Sequence, residues 1–505
     1  MKKAVFVLVA LSITAAFLSC ASNEAPDSNV TSEQETEEPV NSELTVPEDE
    51  ITEEIAQEEE PSTFIELCYA TSVNMPEDQF GPENVFDNDP NTSWVTMPGA
   101  GPGEGLFFSF EIPIHIDAIS MQGLPESNSI AELFSVRLYI NGVRGPYYNM
   151  HWEETVPIDC KVKSLFIRII ATGYFGTEEP RNGLCSYGSL PVGISEVNLF
   201  IKNEYGQEVP LQIQPIVRAS GSIQASSSLD PVEAYNPDFL FDSRSDFGWS
   251  DGNTESSGQG ENLSFHFDQS QRIEKIKIWN GYHRSQTHFD QNERVASISF
   301  GLQGEDESVY PISDTMVPQV ITLETPLEGQ SFSLNILDVY EGATYKDLVI
   351  SELRFFDGND WFQLQSGEGE VRKNRLLEWA QNTDAGVFID RQIYAETWTE
   401  ESNGEQHFIL RSNGSFIVWK QLEMDDSSET MYADGNWQII NDNSVRIFGK
   451  LHRMGSYWED AYDPYSGPIP PADVELDRIT IFTDILEFDE ETISSQRGVF
   501  EDFTF

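Results

Sequence analysis

Positive charge is scarce in this sequence. Its 505 residues include 29 Lys and Arg against 86 Asp and Glu, which gives a formal net charge of −57 at pH 7. Nucleic acids and anionic bilayers are themselves negative, so a surface of this sign repels both. The composition therefore argues against nucleic acid as a partner, and it favours cations or neutral partners such as glycans.

Cysteine is also scarce, with four residues in the chain: Cys20, Cys68, Cys160 and Cys185. If Cys20 is modified as described below, three thiols are left, an odd number for an exported protein. One disulfide and one buried thiol is the arrangement we expect. Cys185 falls in an insertion, residues 177–192, which a disulfide would hold in place. The sequence does not identify the cysteine with which Cys185 would pair.

The sequence lacks the common catalytic motifs. It contains no phosphate-binding Gly loop, no His-Glu-x-x-His and no Cys-x-x-Cys, and one stretch, Gly248-Trp-Ser-Asp-Gly252, matches Gly-x-Ser-x-Gly by spacing alone. His283 and His288 are five residues apart with no third ligand nearby, a spacing more typical of surface polar residues than of a metal site. We therefore expect a protein that is not an enzyme. A hydrolase with its site in the C-terminal domain and a structural envelope protein are the alternatives.

Long apolar runs are confined to the N-terminus. Two lysines precede an apolar stretch, residues 4–17, and the segment ends in Ala16-Phe-Leu-Ser-Cys20. This pattern predicts a bacterial signal peptide over residues 1–20, with Cys20 acylated as in lipoproteins, although Phe17 stands where Leu is usual. An ordinary cleaved signal is the alternative. No later run is long enough to cross a bilayer, so we expect a cell-envelope protein held to the membrane by lipid alone.

Residues 21–62 predict a disordered tether. They contain 15 Asp or Glu and no Lys, Arg or aromatic residue. Such a segment cannot bury enough apolar surface to offset the entropy of ordering, and its like charges extend it. We expect a spacer between the membrane and the folded part.

The rest of the chain contains a repeat, in which a polar loop, a Gly-rich turn, an alternating strand and an Ile-Ser-Glu strand occur twice. The first copy reads Asn84-Val-Phe-Asp-Asn-Asp-Pro-Asn-Thr-Ser-Trp94, Leu106-Phe-Phe-Ser-Phe110 and Ile194-Ser-Glu; the second reads Phe239-Leu-Phe-Asp-Ser-Arg-Ser-Asp-Phe-Gly-Trp249, Asn262-Leu-Ser-Phe-His-Phe267 and Ile350-Ser-Glu. The two Trp-to-Ile separations are 100 and 101 residues. Matching landmarks at matching separations predict a domain duplication, with both tryptophans in the core. Short alternating strands with frequent turns predict an all-β sandwich in each copy.

Together with Trp279-Asn-Gly-Tyr282 and Asn292-Glu-Arg294, these landmarks resemble the discoidin-like (coagulation factor type C) β-sandwich. The variant they resemble most is the glycan-binding translocation domain found beside bacterial NAD glycohydrolases. The resemblance covers residues 66–203 and 217–365, within domains placed at 63–203 and 217–365. It implies two tandem jelly-roll-like modules that bind sugars or lipid head groups through loops at one end. The resemblance does not imply NAD hydrolysis, because it is a resemblance to the accessory domain and not to the catalytic domain.

The resemblance also implies cation sites, because discoidin-like modules often hold a structural Ca²⁺ between the Asp loop and the Glu of the last strand. The matching residues are Asp87, Asp89, Thr92 and Glu196 in the first copy, and Asp242, Asp246 and Glu352 in the second. Calcium takes about six to eight oxygen ligands, so backbone carbonyls would supply the rest. The alternative is an Asp that caps a turn and a Glu that accepts from backbone amides, and it is favoured in the second copy.

A ligand site is expected in the second copy. Sugar binding needs an aromatic face together with fixed hydrogen-bonding groups. The candidates are Trp279, Asn280, Tyr282, His283, Arg284, His288, Asn292 and Arg294. The first copy has Met121-Gln-Gly-Leu124 at the corresponding place and lacks both the aromatic and the charge. Alternatively, Tyr282 and Arg294 hold the loop together. We expect a glycan or another surface ligand, and the oligomeric state stays open.

Residues 367–505 follow a different pattern. A short amphipathic helix is predicted over 371–382, and alternating strands follow it. Asn413-Gly414 between two of these strands is a strong hairpin signal. Consecutive hairpins predict a small β-barrel, which resembles a lipocalin-like barrel, or another β-meander.

Overall fold

The computed structural model describes residues 61–504 except for short gaps. The gaps are 75–76, 90, 99–100, 102, 126, 128, 153, 173–174, 178–186, 231, 254–256, 391–392, 399–401, 413, 425–426, 458–461, 464–466, 469–473, 489–491 and 496–502. The predicted signal with Cys20, nearly all of the tether and Cys185 lie outside the described residues. No helix in the described part is long and apolar enough to span a membrane.

The first module is a β-sandwich of residues 61–214. Its strands are β1 (Ser62–Ala70), β2 (Trp94–Val95), β3 (Gly105–Gly123), β4 (Leu133–Ile140), β5 (Val143–Asn149), β6 (Val156–Thr172), β7 (Phe175–Thr177), β8 (Tyr187–Ser189), β9 (Gly193–Lys202), β10 (Glu208–Pro210) and β11 (Gln212–Gln214), with a short helix α1 (Glu77–Phe80) before a 3₁₀ turn (Pro82–Phe86). The long strand β3 pairs first with β1 and then with β9, while β6 follows it along both halves. The two layers therefore share their long strands and enclose one core.

The second module is a β-sandwich of residues 217–366. Its strands are β12 (Val217–Ala225), β13 (Trp249–Ser250), β14 (Asn262–Asn280), β15 (Arg294–Leu302), β16 (Ser308–Pro311), β17 (Gln319–Tyr340), β18 (Val349–Phe356) and β19 (Trp361–Ser366), with helices α2 (Val232–Tyr235) and α3 (Gln286–Gln291) and a 3₁₀ turn (Pro237–Phe241). Here β14 pairs first with β12 and then with β18, and β17 follows it.

The registers of the two modules correspond, as a duplication predicts. Trp94 pairs with Ile194, and Trp249 pairs with Ile350. Each indole N–H donates to a carbonyl 22 residues upstream at 2.9 Å, that of Ser72 in one module and that of Ser227 in the other. Both tryptophans are fully buried, in agreement with their predicted place in the core.

Each sandwich encloses its own apolar core. Phe108, Phe110 and Leu165 are among the buried residues of the first, and Phe265, Phe267 and Phe332 are among those of the second. These side chains recur at every second position because alternate residues of a strand face the same side. The alternation seen in the sequence therefore predicts the inner faces of both modules.

Two of the cysteines are described, and both are free thiols. Cys68 lies in the first core and Cys160 is half-buried on β6. The expected single disulfide is therefore not formed between these two residues. Burial raises the pKa of both thiols, Cys68 the more strongly, so neither is an activated nucleophile.

The C-terminal domain is an antiparallel β-meander preceded by a helix. The helix is α4 (Glu368–Asn382), and the strands are β20 (Ile393–Trp398), β21 (Ser402–Leu410), β22 (Ser415–Met424), β23 (Ser427–Asn441), β24 (Ser444–Tyr457), β25 (Tyr462–Asp463), β26 (Gly467–Pro468), β27 (Val474–Phe488), β28 (Thr492–Ser495) and β29 (Phe503–Thr504). Apart from the separate pair β25 and β26, the strands pair in sequence order. Leu376 of α4 enters the core, and Trp379 packs on Trp437. The predicted helix and the β-meander are both present.

The C-terminal domain packs on the first module through an aromatic sheet face. Tyr139 of β4 lies edge-on against His452 with centroids 4.8 Å apart, and the Arg168 guanidinium lies 4.5 Å from the Tyr432 ring centroid. An ion pair between Arg411 and Glu104 closes the contact, with both side chains fully buried. The first module therefore has apolar residues on both faces of this layer.

The C-terminal domain also packs on the Asp loop of the second module, residues 242–249. Phe247 and Phe448 lie edge to face with centroids 6.1 Å apart. Lys450 lies 3.5 Å from a carboxylate oxygen of Asp246, and Arg372 of α4 lies 3.0 Å from one of Asp238. This part of the second module is therefore an internal interface.

The two modules contact each other through ion pairs, one of which is buried. Lys277 of β14 lies 2.6 Å from a carboxylate oxygen of Glu66, and Arg218 of β12 lies 2.6 Å from one of Glu83. Lys277 and Glu66 are both buried, so their charges are weakly screened. The three folded units are thus joined by specific contacts and not by flexible linkers alone.

Candidate ligand-binding site

The predicted ligand loop of the second module begins at the end of β14. Trp279 is 2 % exposed, because β18 lies alongside and pairs it with Glu352. Asn280 is fully buried; its side-chain amide donates to the Val295 carbonyl at 2.9 Å and accepts from the Val295 N–H at 2.8 Å. Both side chains are used to hold strands together, which corrects the prediction that they contact a ligand.

Tyr282 does not present an open ring face. Its side chain is 6 % exposed, and its ring lies edge-on against His288 with centroids 5.4 Å apart. The Arg284 guanidinium covers the ring at 4.8 Å from the centroid. Burial raises the pKa of Tyr282 well above its ordinary value. The expectation of a stacking platform at Tyr282 is therefore wrong.

The two histidines of this loop are held neutral. Burial lowers the pKa of His283 and of His288 to about 4. His283 Nε2 lies 3.0 Å from the Asn280 carbonyl oxygen, and His288 Nδ1 lies 2.7 Å from Ser285 Oγ. Among the described residues, neither belongs to a close set of three metal-ligand atoms. Their contacts are those of loop-fixing residues.

Arg294 and Asn292 are also occupied inside the loop. The Arg294 guanidinium forms a bidentate ion pair with Asp314, in which Nε lies 2.7 Å from Oδ1 and Nη2 lies 2.9 Å from Oδ2. Its Nη1 donates to the Asn292 carbonyl at 2.8 Å. Asn292 donates its side-chain amide to the His288 carbonyl at 2.7 Å. Both residues are buried, so the loop-holding alternative describes them and the ligand-contact prediction is corrected.

Arg284 connects this loop to the C-terminal domain. Its guanidinium lies 4.6 Å from the centroid of Phe448, while Nε donates to the Asp246 carbonyl at 3.1 Å. One face of the predicted ligand loop is therefore covered by another part of the same chain. Sequence reasoning missed this, because Phe448 lies more than 150 residues away and nothing local marks the contact.

The predicted cation site of the second module contains guanidinium groups. Arg244 pairs with Asp246 at 3.0 Å and with Asp434 of the C-terminal domain at 3.3 Å. Arg354 pairs with Glu352 and also donates to Ser243 Oγ at 2.8 Å. Asp242 accepts from the Arg244 backbone N–H at 2.8 Å, which makes it a turn cap. These residues do not fit a Ca²⁺ ion, because fixed positive charges occupy its place; the prediction for Asp242, Asp246 and Glu352 is corrected.

Two of these acids form a buried pair. Burial raises the pKa of Glu352 to about 7, against the opposing effect of Arg354. Burial and the neighbouring Glu352 raise the pKa of Asp242 well above its ordinary value. A low-dielectric site disfavours two carboxylates, so the pair retains a proton near neutral pH.

The corresponding loop of the first module carries no such guanidinium. Asp87 accepts from the Asp89 N–H at 2.8 Å and from Thr92 Oγ1 at 2.7 Å. Burial, Asp87 and Asp89 together raise the pKa of Glu196, so its charged neighbours are negative. Asp87 is therefore a turn cap, as Asp242 is, and its carboxylate does not form a close set of ligand atoms with those of Asp89 and Glu196. The described residues place no competing cation among these oxygen donors, so Asp87, Asp89, Thr92 and Glu196 would be the ligands if Ca²⁺ binds here.

Among the described residues, a group of three side chains elsewhere in the first module brings metal-ligand atoms close together. His115 and Asp117 lie on β3 and Asp159 lies on β6, with His115 Nε2 3.2 Å from Asp159 Oδ1. Lys202 already lies 2.8 Å from Asp117 Oδ1. An ammonium group in this position competes with a metal ion, so the triad is explained by ion pairing.

A polar cavity lies where the three folded units meet. Its volume is about 400 Å³, and its lining includes Tyr69, Arg218, Arg244 and Arg372. These arginines are already paired with carboxylates, as described above. These three arginines therefore offer no uncompensated charge to an anionic ligand, while Lys373 also lines the cavity.

An open aromatic side chain occurs on the first module, where none was predicted. Trp152, in the turn after β5, is 85 % exposed. The signal in the sequence is an indole within the polar run Asn149-Met-His-Trp-Glu-Glu154, outside the alternation of either strand.

The second module matches a known protein family. Residues 217–356 match the family described as NAD glycohydrolase translocation F5/8 type C domain. The matched segment makes up less than a third of the chain. No match was found among curated proteins.

Solved structures with a similar arrangement share little sequence with this chain. A family 32 carbohydrate-binding module from Clostridium perfringens NanJ, in complex with galactose, is 11% identical, covers 27% of this chain and 92% of its own, and has a TM-score of 0.22. Two such domains from C. perfringens ZmpB are 9% identical over 58% of this chain and 92% of theirs, with a TM-score of 0.22. A fucolectin from striped bass (Morone saxatilis) is 10% identical over 57% of this chain and 95% of its own, with a TM-score of 0.21. Similarities this low do not bear on ligand or activity.

The motifs quoted from the sequence, the shared registers of the two sandwiches and the family match agree. Residues 217–356, the second of two tandem β-sandwiches in this chain, match the NAD glycohydrolase translocation F5/8 type C domain family.

Proposed function

We propose that this protein is a lipid-anchored binding protein of the bacterial cell envelope that recognises carbohydrate and catalyses no reaction. The family match of residues 217–356 is the observation that carries the proposal, because the resemblance is to an accessory, glycan-binding domain. The partner is a neutral glycan or a glycosylated surface.

The charge of the protein supports a neutral partner. The net charge of −57 disfavours polyanions and anionic membranes. Neutral sugars are recognised instead through aromatic faces and hydrogen bonds, which that charge does not oppose. The membrane contact is then made by the lipid on Cys20, and the acidic tether separates the modules from the bilayer.

Carbohydrate binding is tested on a glycan and matrix-glycoprotein array. The fragment Glu59–Phe505, which is one compact unit, would be applied with and without a chelator. We expect saturable binding to a restricted set of glycans, with no change in the bound glycan on prolonged incubation. Release of sugar from the array would favour the hydrolase alternative, and the absence of binding would contradict the proposal.

The anchor is tested separately in the full chain. Cys20→Ser should abolish acylation and move the protein from the detergent phase to the aqueous phase in a partitioning assay. A serine substitution at Cys185 is the matched control and should leave partitioning unchanged. A Cys20→Ser protein that still partitions into detergent would show that the membrane contact has another origin.

A further inference from the structure

Trp152 is the most exposed large apolar side chain among the described residues, at 85 % exposure. An indole ring in water is an amphipathic contact surface that a partner can cover with gain of burial free energy. Trp152 follows β5, an edge strand of its sheet.

The turn that presents Trp152 is fixed by hydrogen bonds. The Trp152 N–H donates to the Asn149 carbonyl at 3.3 Å, and the His151 N–H donates to Asn149 Oδ1 at 3.0 Å. Beyond the indole, the Tyr148 hydroxyl donates to the Glu154 carbonyl at 3.0 Å while it accepts from the Met121 N–H at 3.2 Å. Tyr148 is itself buried, so the turn is tied to the core and the indole is held outward.

His151 of the same turn lies against residues at the start of the neighbouring strand β4. Its ring centroid is 5.2 Å from that of Phe134, and its Nε2 lies 3.6 Å from Glu132 Oε1. Phe134 and His151 are exposed, and Glu132 is half-buried. A carboxylate and an imidazole close to an exposed ring can donate and accept hydrogen bonds with sugar hydroxyls, which a purely apolar partner does not offer.

We propose that Trp152 is the stacking platform for a neutral pyranose ring, with Glu132 and His151 as hydrogen-bonding groups for its hydroxyls. This inference rests on the proposed carbohydrate binding and moves its site from the second module to the first. Glu132 and the acidic surface exclude uronic and sialic acids, because a sugar carboxylate would meet like charge. A neutral hexose or an N-acetylhexosamine carries no negative charge and is therefore not repelled.

The test uses the fragment Glu59–Phe505, its best array glycan and three variants. Trp152→Ala should weaken binding at least about tenfold, as expected for an exposed aromatic at the centre of a contact. Trp152→Phe should restore most of the affinity, because it keeps a ring. Tyr205→Ala is the matched control: Tyr205 is 71 % exposed in another turn of the same module, and its removal should leave binding unchanged.

The outcomes separate this inference from the proposed function. If the unaltered fragment binds no glycan, the proposed function fails. If it binds, and Trp152→Ala with an unchanged melting temperature binds equally tightly, the assignment of Trp152 is overturned and carbohydrate binding stands. If Trp152→Ala instead converts a dimer to a monomer at equal affinity, the surface is a contact between copies of this chain, which also overturns the assignment.

Discussion

Arg411 of the C-terminal domain and Glu104 of the first module form an ion pair in which both side chains are completely buried. Glu104 also accepts from Thr71 Oγ1. Two of the Arg411 nitrogens, Nε and Nη1, have no hydrogen-bond partner among the described residues. In the second module the corresponding acid, Glu261, accepts from Ser226 and Ser227 at a partly exposed site. The repeat therefore supplies an acid that the C-terminal domain uses in one copy only.

Glu104→Gln should lower the free energy of unfolding by about 3–5 kcal/mol, because Arg411 is then left as an unpaired buried charge. Glu261→Gln is the matched control and should cost about 1 kcal/mol, since that acid only accepts hydrogen bonds at a wetter site. Urea unfolding followed by tryptophan fluorescence measures both. Equal losses in the two variants would show that the buried pair does not join the domains, and the double variant Arg411→Met with Glu104→Met should recover most of the loss.

Tyr282→Ala is expected to act on stability and not on ligand affinity. The side chain is buried against His288 and Arg284, so its removal leaves a cavity that should cost about 3–5 kcal/mol. Thermal unfolding of Glu59–Phe505 measures the loss, and Tyr345→Ala, which removes a half-exposed tyrosine of the same module, is the control. A Tyr282→Ala protein with unchanged melting temperature and weakened glycan binding would restore the original prediction for this loop.

The repeat and its strands could be predicted because they depend on local alternation and on equal spacing. Trp94 and Trp249 mark the same place in two registers, and the sequence separation alone aligns them. The sequence also indicates that an arginine, Arg354, lies at the Asp site of the second module. Arg354 follows Glu352 by two residues, which puts both on one face of β18, and the first module has Asn198 at that place. A cation of the protein thus replaces the expected metal ion.

The covering of the modules by the C-terminal domain could not be predicted, because the partner surfaces are far apart in sequence. One sign of it exists in the first module. Its outer sheet face carries Tyr69, Phe107 and Phe166, where the second module carries Gln224, Ser264 and Ser333. Strands that are apolar on both faces are buried on both. The sequence shows that this face of the first module is covered, but it does not identify the domain that covers it.

Stability should fall with rising pH because of the buried pair Asp242 and Glu352. The pKa of Glu352 is raised from 4.5 to about 7 in the folded state, so the folded protein binds the proton more tightly than the unfolded chain. The stabilising contribution is complete below the unfolded pKa and is lost as pH rises through the folded one. Between about pH 4.5 and 7 the free energy of unfolding of the wild type should fall relative to that of Glu352→Gln by about 1–3 kcal/mol. A constant difference over this range would contradict the buried proton.

His283 and His288 affect stability in the opposite direction. The pKa values of His283 and His288 are lowered to about 4, so the folded state resists protonation and stability falls as pH drops from 6.5 towards 4. His288→Asn should reduce this loss of stability at acid pH without altering the fall in stability above pH 6.5. Denaturant titrations at several pH values separate the two effects. If the free energy of unfolding of His288→Asn falls at acid pH as much as that of the wild type, His288 does not contribute to the loss.

Calcium should bind to the first module and not to the second. The loop of Asp87 and Asp89 has oxygen donors and negative neighbours, whereas Arg244 and Arg354 hold the corresponding place in the second module. Binding to the folded state alone would raise stability by about 2.7 kcal/mol at a calcium concentration 100 times the dissociation constant. We therefore expect calcium to raise the melting temperature of Glu59–Phe505, chelator to reverse the change, and Asp89→Asn to abolish the response. Asp246→Asn should lower the starting melting temperature, because Arg244 loses a partner, yet keep the full calcium-dependent rise. Loss of the calcium response in Asp246→Asn but not in Asp89→Asn would place the ion in the second module and contradict this assignment.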